Sequence, residues 1–223
     1  WSDFFTYGKW RFGDQNRGIS KTSTNGVAKM VEDTIFPLNN KLGSAYQYKI
    51  EFERDNLELS APIVNLIATS FAVKDYPKHN LDYSQIQQEV VYDVPKLYQR
   101  EVPIIGGSIC SPTSVTMLLK YKGHSFVDKG YEYEHEYIAI NAKDYGHDIF
   151  GNWVYCVAVM GAHGEDAYVK YFANNDELIE HLINVGPVAL SVKGNMQGLY
   201  NTAGHLLVCK GYKIVDGEVI FIC

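Results

Sequence analysis

The hydrophobic period of this chain changes part-way along, and that change limits the folds open to it. In "AYQYKIEFER", Tyr46, Tyr48, Ile50 and Phe52 alternate with Gln47, Lys49, Glu51 and Glu53, the pattern of a strand with one wet face. "PIVNLIATSFAV" (62–73) is more continuously apolar and β-branched, as expected of a strand covered on both faces. No long amphipathic helix is written before residue 80. Beyond the polar, proline-containing stretch "KDYPKHNLDYSQIQQ" the period becomes helical. Between Pro112 and Lys120, Val115, Leu118 and Leu119 stand at i, i+3 and i+4, with proline in the first turn and Gly123 as the stop. "NNDELIEHLINVGP" has Asn174 and Glu177 at capping-box spacing, an apolar stripe of Leu178, Leu182 and Ile183, and a Gly186-Pro187 terminator. Three strand-like runs follow, "VALSV", "HLLVCKGY" and "EVIFI", the last two joined by the turn "VDG" at 215–217. The expectation is an α+β protein in two domains, an all-β, sandwich-like one over residues 1–88 and one of helices followed by strands over 89–223.

A chain of 223 residues can bury a real core, about 70% of its unfolded surface by size scaling. Lys and Arg number 20 against 26 Asp and Glu, with no cationic cluster, which argues against a nucleic-acid partner. No apolar run approaches the ~20 residues of a membrane span. Residues 1–20 lack the charged start and apolar middle of a signal peptide, so the expectation is a cytosolic protein or one whose export signal has been removed. The four cysteines contain no C-x-x-C, so the sequence calls for no structural zinc, no other metal and no cofactor. Seventeen tyrosines are spread along the chain as in a tyrosine-rich β surface. The sharper alternative makes the first domain a module for a surface ligand.

The stretch "GGSICSPTSVTMLLKYKG" (106–123) sets Cys110 between a glycine-rich loop and a helix. Unpaired backbone N–H groups and the positive helix end would favour a thiolate there, the placement a nucleophile needs. The competing reading is a small apolar residue opening a core helix. A thiolate needs a base, and His205 in "NTAGHLLVCKGY" opens a strand after a glycine, where an imidazole can face a cleft. The other histidines offer less: His79, His124, His135 and His147 lie in polar segments, His163 in a turn, and His181 beside a helical stripe. His205 and Cys209 could share a strand face, but two ligands do not make a metal site. Cys156 in "VYCVAVM" and Cys209 in "LLVCK" read as inert core residues of strand-like runs. Asn152 and Trp153 either shape a cleft wall or are a turn-forming amide and a buried aromatic. The acid-rich segment 131–148 either lines a cleft or is a solvated loop.

"SICSPTSVTMLLKYKG", "GNW", "GEDAYVKYF", "GPVALSV" and "TAGHLLVCKGY", in that order, resemble the papain-fold cysteine peptidases similar to the double-glycine, bacteriocin-leader-processing type, also called cysteine peptidase family 39-like. The resemblance covers residues ~93 to 223. It implies a papain-like domain acting on a peptide or protein substrate, with Cys110 as nucleophile and His205 as general base and acid. It also implies Gln99, in "VPKLYQREVP", as an oxyanion donor, and export to the bacterial envelope or exterior. The family's third residue is an aspartate directly after the strand equivalent to "VIFIC", where this sequence ends. The expectation is therefore an acid beyond Cys223 or a Cys–His dyad, since Asp216 is accounted for by its turn. A silent binding protein on the same scaffold is the alternative.

Overall fold

A computed structural model describes the chain except for residues 12–17, 62 and 74. Near the start, β1 (Gly8–Trp10) pairs antiparallel with β2 (Gly18–Ser20). β3 (Ser23–Thr24), β4 (Ala28–Val31) and β5 (Thr34–Pro37) make a second small antiparallel sheet. The strands expected at 46–53 and 62–73 do not form: no strand occurs among the described residues from 38 to 88, and Tyr46, Tyr48, Ile50, Phe52, Ile67 and Phe71 stay exposed. The Tyr46 and Phe71 rings lie 4.7 Å apart, so the two segments meet there without a ladder. Alternation specifies which face a strand would present; it does not supply the sheet or helix behind it, and a two-stranded ribbon without one is marginal.

The second half follows the expected order of helices and then strands, so the chain is α+β. β6 (Glu89–Val91) leads through a single 3-10 turn (Gln99–Glu101) to α1 (Cys110–Tyr121). Then come α2 (Glu134–Ala142), α3 (Trp153–Ala162) and α4 (Asn175–Asn184). β7 (Val188–Met196), β8 (Tyr200–Cys209), β9 (Gly211–Val215) and β10 (Glu218–Ile222) complete the chain. β7 and β8 form an antiparallel ribbon, and β9 lies between β10 and β6. The β9–β10 turn places Asp216 and Gly217 at φ 52° and 80°, the left-handed pair that a two-residue hairpin loop demands. In α4, Asn174 Oδ1 accepts from Glu177 N–H at 3.0 Å, while Glu177 Oε2 accepts from Ala173 N–H at 2.8 Å, a capping box reaching one residue further back.

Two helices replace expected loop and strand. In α2 the buried residues His135, Ile138, Ala139 and Ala142 fall at i, i+3, i+4 and i+7, a stripe disguised because a histidine holds one apolar position. α3 takes in "VYCVAVM" because Asn152 caps it, Oδ1 accepting from Tyr155 N–H at 3.2 Å. An apolar run without periodicity is ambiguous between strand and helix, and here the cap decides. Val115 and Leu119 of α1 pack with Phe126, Ile138, Ala142, Cys156 and Val159 into the core between α1, α2 and α3. A second core sets Leu178, Ile179 and Leu182 of α4 against Cys209 and Tyr212.

The N-terminal strands dock on the helical half through one buried carboxylate. Asp144 accepts from Ser20 N–H at 3.0 Å, from the Ser20 hydroxyl, from Gly146 N–H at 2.9 Å and from Asn152 Nδ2 at 3.0 Å. His147 Nδ1 lies 2.8 Å from Ser20 Oγ, and its Nε2 lies 3.3 Å from Thr22 Oγ1. A Cβ at Gly146 would fall 1.8 Å from Ser20 O, so only glycine admits this approach. Trp153 N–H donates to Asp33 Oδ2 at 2.9 Å, a second tie between the same regions.

Candidate active site

Cys110 is the first residue of α1 and is partly exposed. Its neighbour Ile109 is fully buried with Val102, Ala139 and Phe150, which fixes the loop entering the helix. The first bond of the helix runs from Thr113 N–H to Ile109 O at 2.9 Å, and no side chain caps the start. Among the described residues the N–H groups of Cys110 and Ser111 make no hydrogen bond, and Pro112 has none to leave unpaired. Beneath Cys110, Ser111 Oγ and Cys156 Sγ lie 3.1 Å apart. Burial pushes the Cys156 thiol up to about 12, against a smaller opposing effect of the Ser111 hydrogen bond. Cys156 is thus a neutral core thiol and no rival nucleophile.

Gln99 sits in the short turn upstream. Its Nε2 donates to Gly106 O at 2.8 Å, tying the turn to the glycine loop that leads to Cys110. A Cβ at Gly106 would fall 2.5 Å from Val102 O and 2.6 Å from Gln99 O, so the loop closes this tightly only around glycine. Beneath the turn lies His135, which is 1% exposed, with Nε2 3.7 Å from Glu101 Oε1. Burial lowers its pKa, opposed by the Glu101 carboxylate and the Tyr98 backbone. His135 escaped sequence reasoning because its segment is polar; the i, i+3, i+4 spacing to Ile138 and Ala139 was the available signal.

His205 lies in the middle of β8, opposite Val192 of β7, and does not open the strand as the preceding glycine suggested. The register of the ribbon breaks between Val192 and Gly194, beside that pairing, with Gly194 at φ 110°. Such breaks re-aim neighbouring side chains, and glycine supplies the positive φ. The ribbon continues past the irregularity to Tyr200, whose ring meets His205 edge-on at 5.9 Å. Burial lowers the pKa of His205, favouring neutral imidazole. α1 packs against β7 and β8, which brings the elements bearing Cys110 and His205 together. Among the described residues no hydrogen bond joins the two side chains.

No helix of the described residues is long and apolar enough to cross a membrane. No curated protein and no solved structure matches the chain. The model of one family, described as the Peptidase_C39 like family, matches residues 91–222, a span that takes in the Gln99 turn, α1 and the His205 ribbon. That match covers more than half of the sequence, and the chain belongs to the Peptidase_C39 like family of cysteine peptidase-like proteins.

Proposed function

We propose that this protein is a thiol hydrolase of peptide or amide bonds in which Cys110 and His205 work through an acyl-enzyme. The observation that carries the reading is the uncapped start of α1 at a partly exposed thiol, on a helix packed against the strand of His205. Attack of the Cys110 sulfur on an acyl carbon places negative charge on its oxygen. The Cys110 N–H and the second Gln99 amide N–H are suited to receive that charge. His205 takes the thiol proton and delivers it to the leaving amine, then activates the water that releases the acyl group. The papain-like fold and the division at residues 88 and 89 belong to the same proposal, as does export to the bacterial envelope or exterior. The N-terminal part then acts as a support docked through Ser20 and Asp144.

The test is the alkylation rate of Cys110 against pH with iodoacetamide, in the wild type and in His205→Ala, with Cys156, Cys209 and Cys223 as internal controls. Rapid labelling at about pH 5 to 6 that His205→Ala abolishes is the expected result, because a thiolate raises the pKa of an imidazole it meets and opposes the effect of burial. Reaction only above about pH 8, no faster than at the control thiols, favours the second reading, a binding protein on the same scaffold. The absent Cys110–His205 hydrogen bond is the observation on that side, although such bonds often tighten only with substrate.

Gln99→Ala should lower kcat for peptide cleavage about 100- to 1,000-fold with little change in KM, the effect of removing one oxyanion donor. A fall of less than about threefold, measured by steady-state kinetics, removes Gln99 from the mechanism.

A further inference from the structure

The last strand ends beside a buried thiol. Cys209 closes β8, is fully buried, and points its Sγ at Gly211 O, 3.4 Å away. Gly211 is the Cα partner of Ile222, and Lys210 N–H donates to Ile222 O at 2.8 Å. The β9–β10 hairpin therefore returns the residue after Ile222 to the end of β8. That residue is Cys223, which is exposed and which the strand register brings alongside Cys209 at the end of β8. Both cysteines are unbridged. The strand-like context of Cys209 gave no hint of a partner, because 13 residues separate the two in the sequence.

We infer that Cys209 and Cys223 are a disulfide-forming pair, which a small-molecule disulfide converts to a cross-link between the end of β8 and the end of β10. One thiol is open to solvent and the other is sealed beneath it, which sets the order of events. The Cys223 thiol, losing its proton to solvent, attacks one sulfur of oxidised glutathione and releases one glutathione. Cys209 then gives up its proton and attacks the Cys223 sulfur of the mixed disulfide, releasing the second glutathione. Two protein thiols are oxidised to one disulfide, and one glutathione disulfide is reduced to two thiols. The bond would fix the end of the strand carrying His205, but its formation does not depend on Cys110 or His205 being catalytic.

The test equilibrates the chain with oxidised glutathione, quenches with acid, alkylates under denaturing conditions and maps the peptides by mass spectrometry. A Cys209–Cys223 linked peptide, lighter by two hydrogen atoms and lost on reduction, is the expected product, whatever happens at Cys110. In Cys223→Ser, a change at an exposed position, Cys209 should be recovered alkylated. Recovery of Cys223 as a stable glutathione adduct with Cys209 free would overturn the pairing. So would a Cys223–Cys223 bond between two copies, or no modification of either thiol.

Discussion

Cys110→Ala is expected to reduce cleavage of a pooled quenched-fluorescent peptide library by on the order of 10,000-fold or more, because no other group can form the acyl-enzyme. The unfolding midpoint should scarcely move. Cys110 is partly exposed at the first helical position, and its side chain makes no hydrogen bond among the described residues, so the change in stability should stay within about 0.5 kcal/mol. Cys110→Ser is expected to be as inactive, since a hydroxyl is far less nucleophilic than a thiol at neutral pH. The neighbouring Cys156 cannot substitute, being buried and held neutral. Activity in Cys110→Ala within tenfold of the wild type would end the nucleophile reading. A wild type that cleaves nothing would turn the assignment toward a binding scaffold.

What the sequence made legible and what it hid follow from the range of the forces involved. α1, α4, β7, β10 and the β9–β10 turn were readable because each is written locally, in a cap, a stripe or a turn pair, whereas the run read as one strand over 205–212 is divided between β8 and β9. α2 was hidden by His135, a residue counted as polar that occupies a core position. α3 was hidden by an apolar run with no period, and only the Asn152 cap resolved it. The strands expected at 46–53 and 62–73 failed for the opposite reason: their pattern is local, whereas a ladder needs a partner from elsewhere. At the candidate site, Cys110 and His205 were visible by chemistry and setting. The Gln99–Gly106 hydrogen bond, the His135 support and the register break beside His205 were not, because each joins positions whose meeting depends on the folded chain.

The same distinction makes Asp144 the residue on which the docking of the two halves should turn. Asp144→Ala leaves two buried donors, Ser20 N–H and Asn152 Nδ2, without their acceptor, together with the more exposed Gly146 N–H. An orphaned buried donor costs about 1 to 3 kcal/mol, so with partial relaxation the loss should be about 3 to 5 kcal/mol. That is a large share of a stability of about 5 to 15 kcal/mol. Urea unfolding at pH 7 measures it, and a loss below about 1 kcal/mol would show that packing and the Trp153–Asp33 bond hold the N-terminal strands without Asp144. The pH dependence has a definite sign. Burial by itself would raise the Asp144 pKa, but the hydrogen bonds from Ser20, Asn152 and Gly146 outweigh it and leave the folded value lowered. The unfolded chain then binds the proton more readily than the folded one. The stabilisation is fully present above the unfolded carboxylate value of about 3.9 and is lost as pH falls through the folded value. Asp144→Asn, which keeps the shape without the charge, should therefore flatten the fall in stability below about pH 5, in urea titrations across that range. A slope matching the wild type would place the acid sensitivity in other carboxylates.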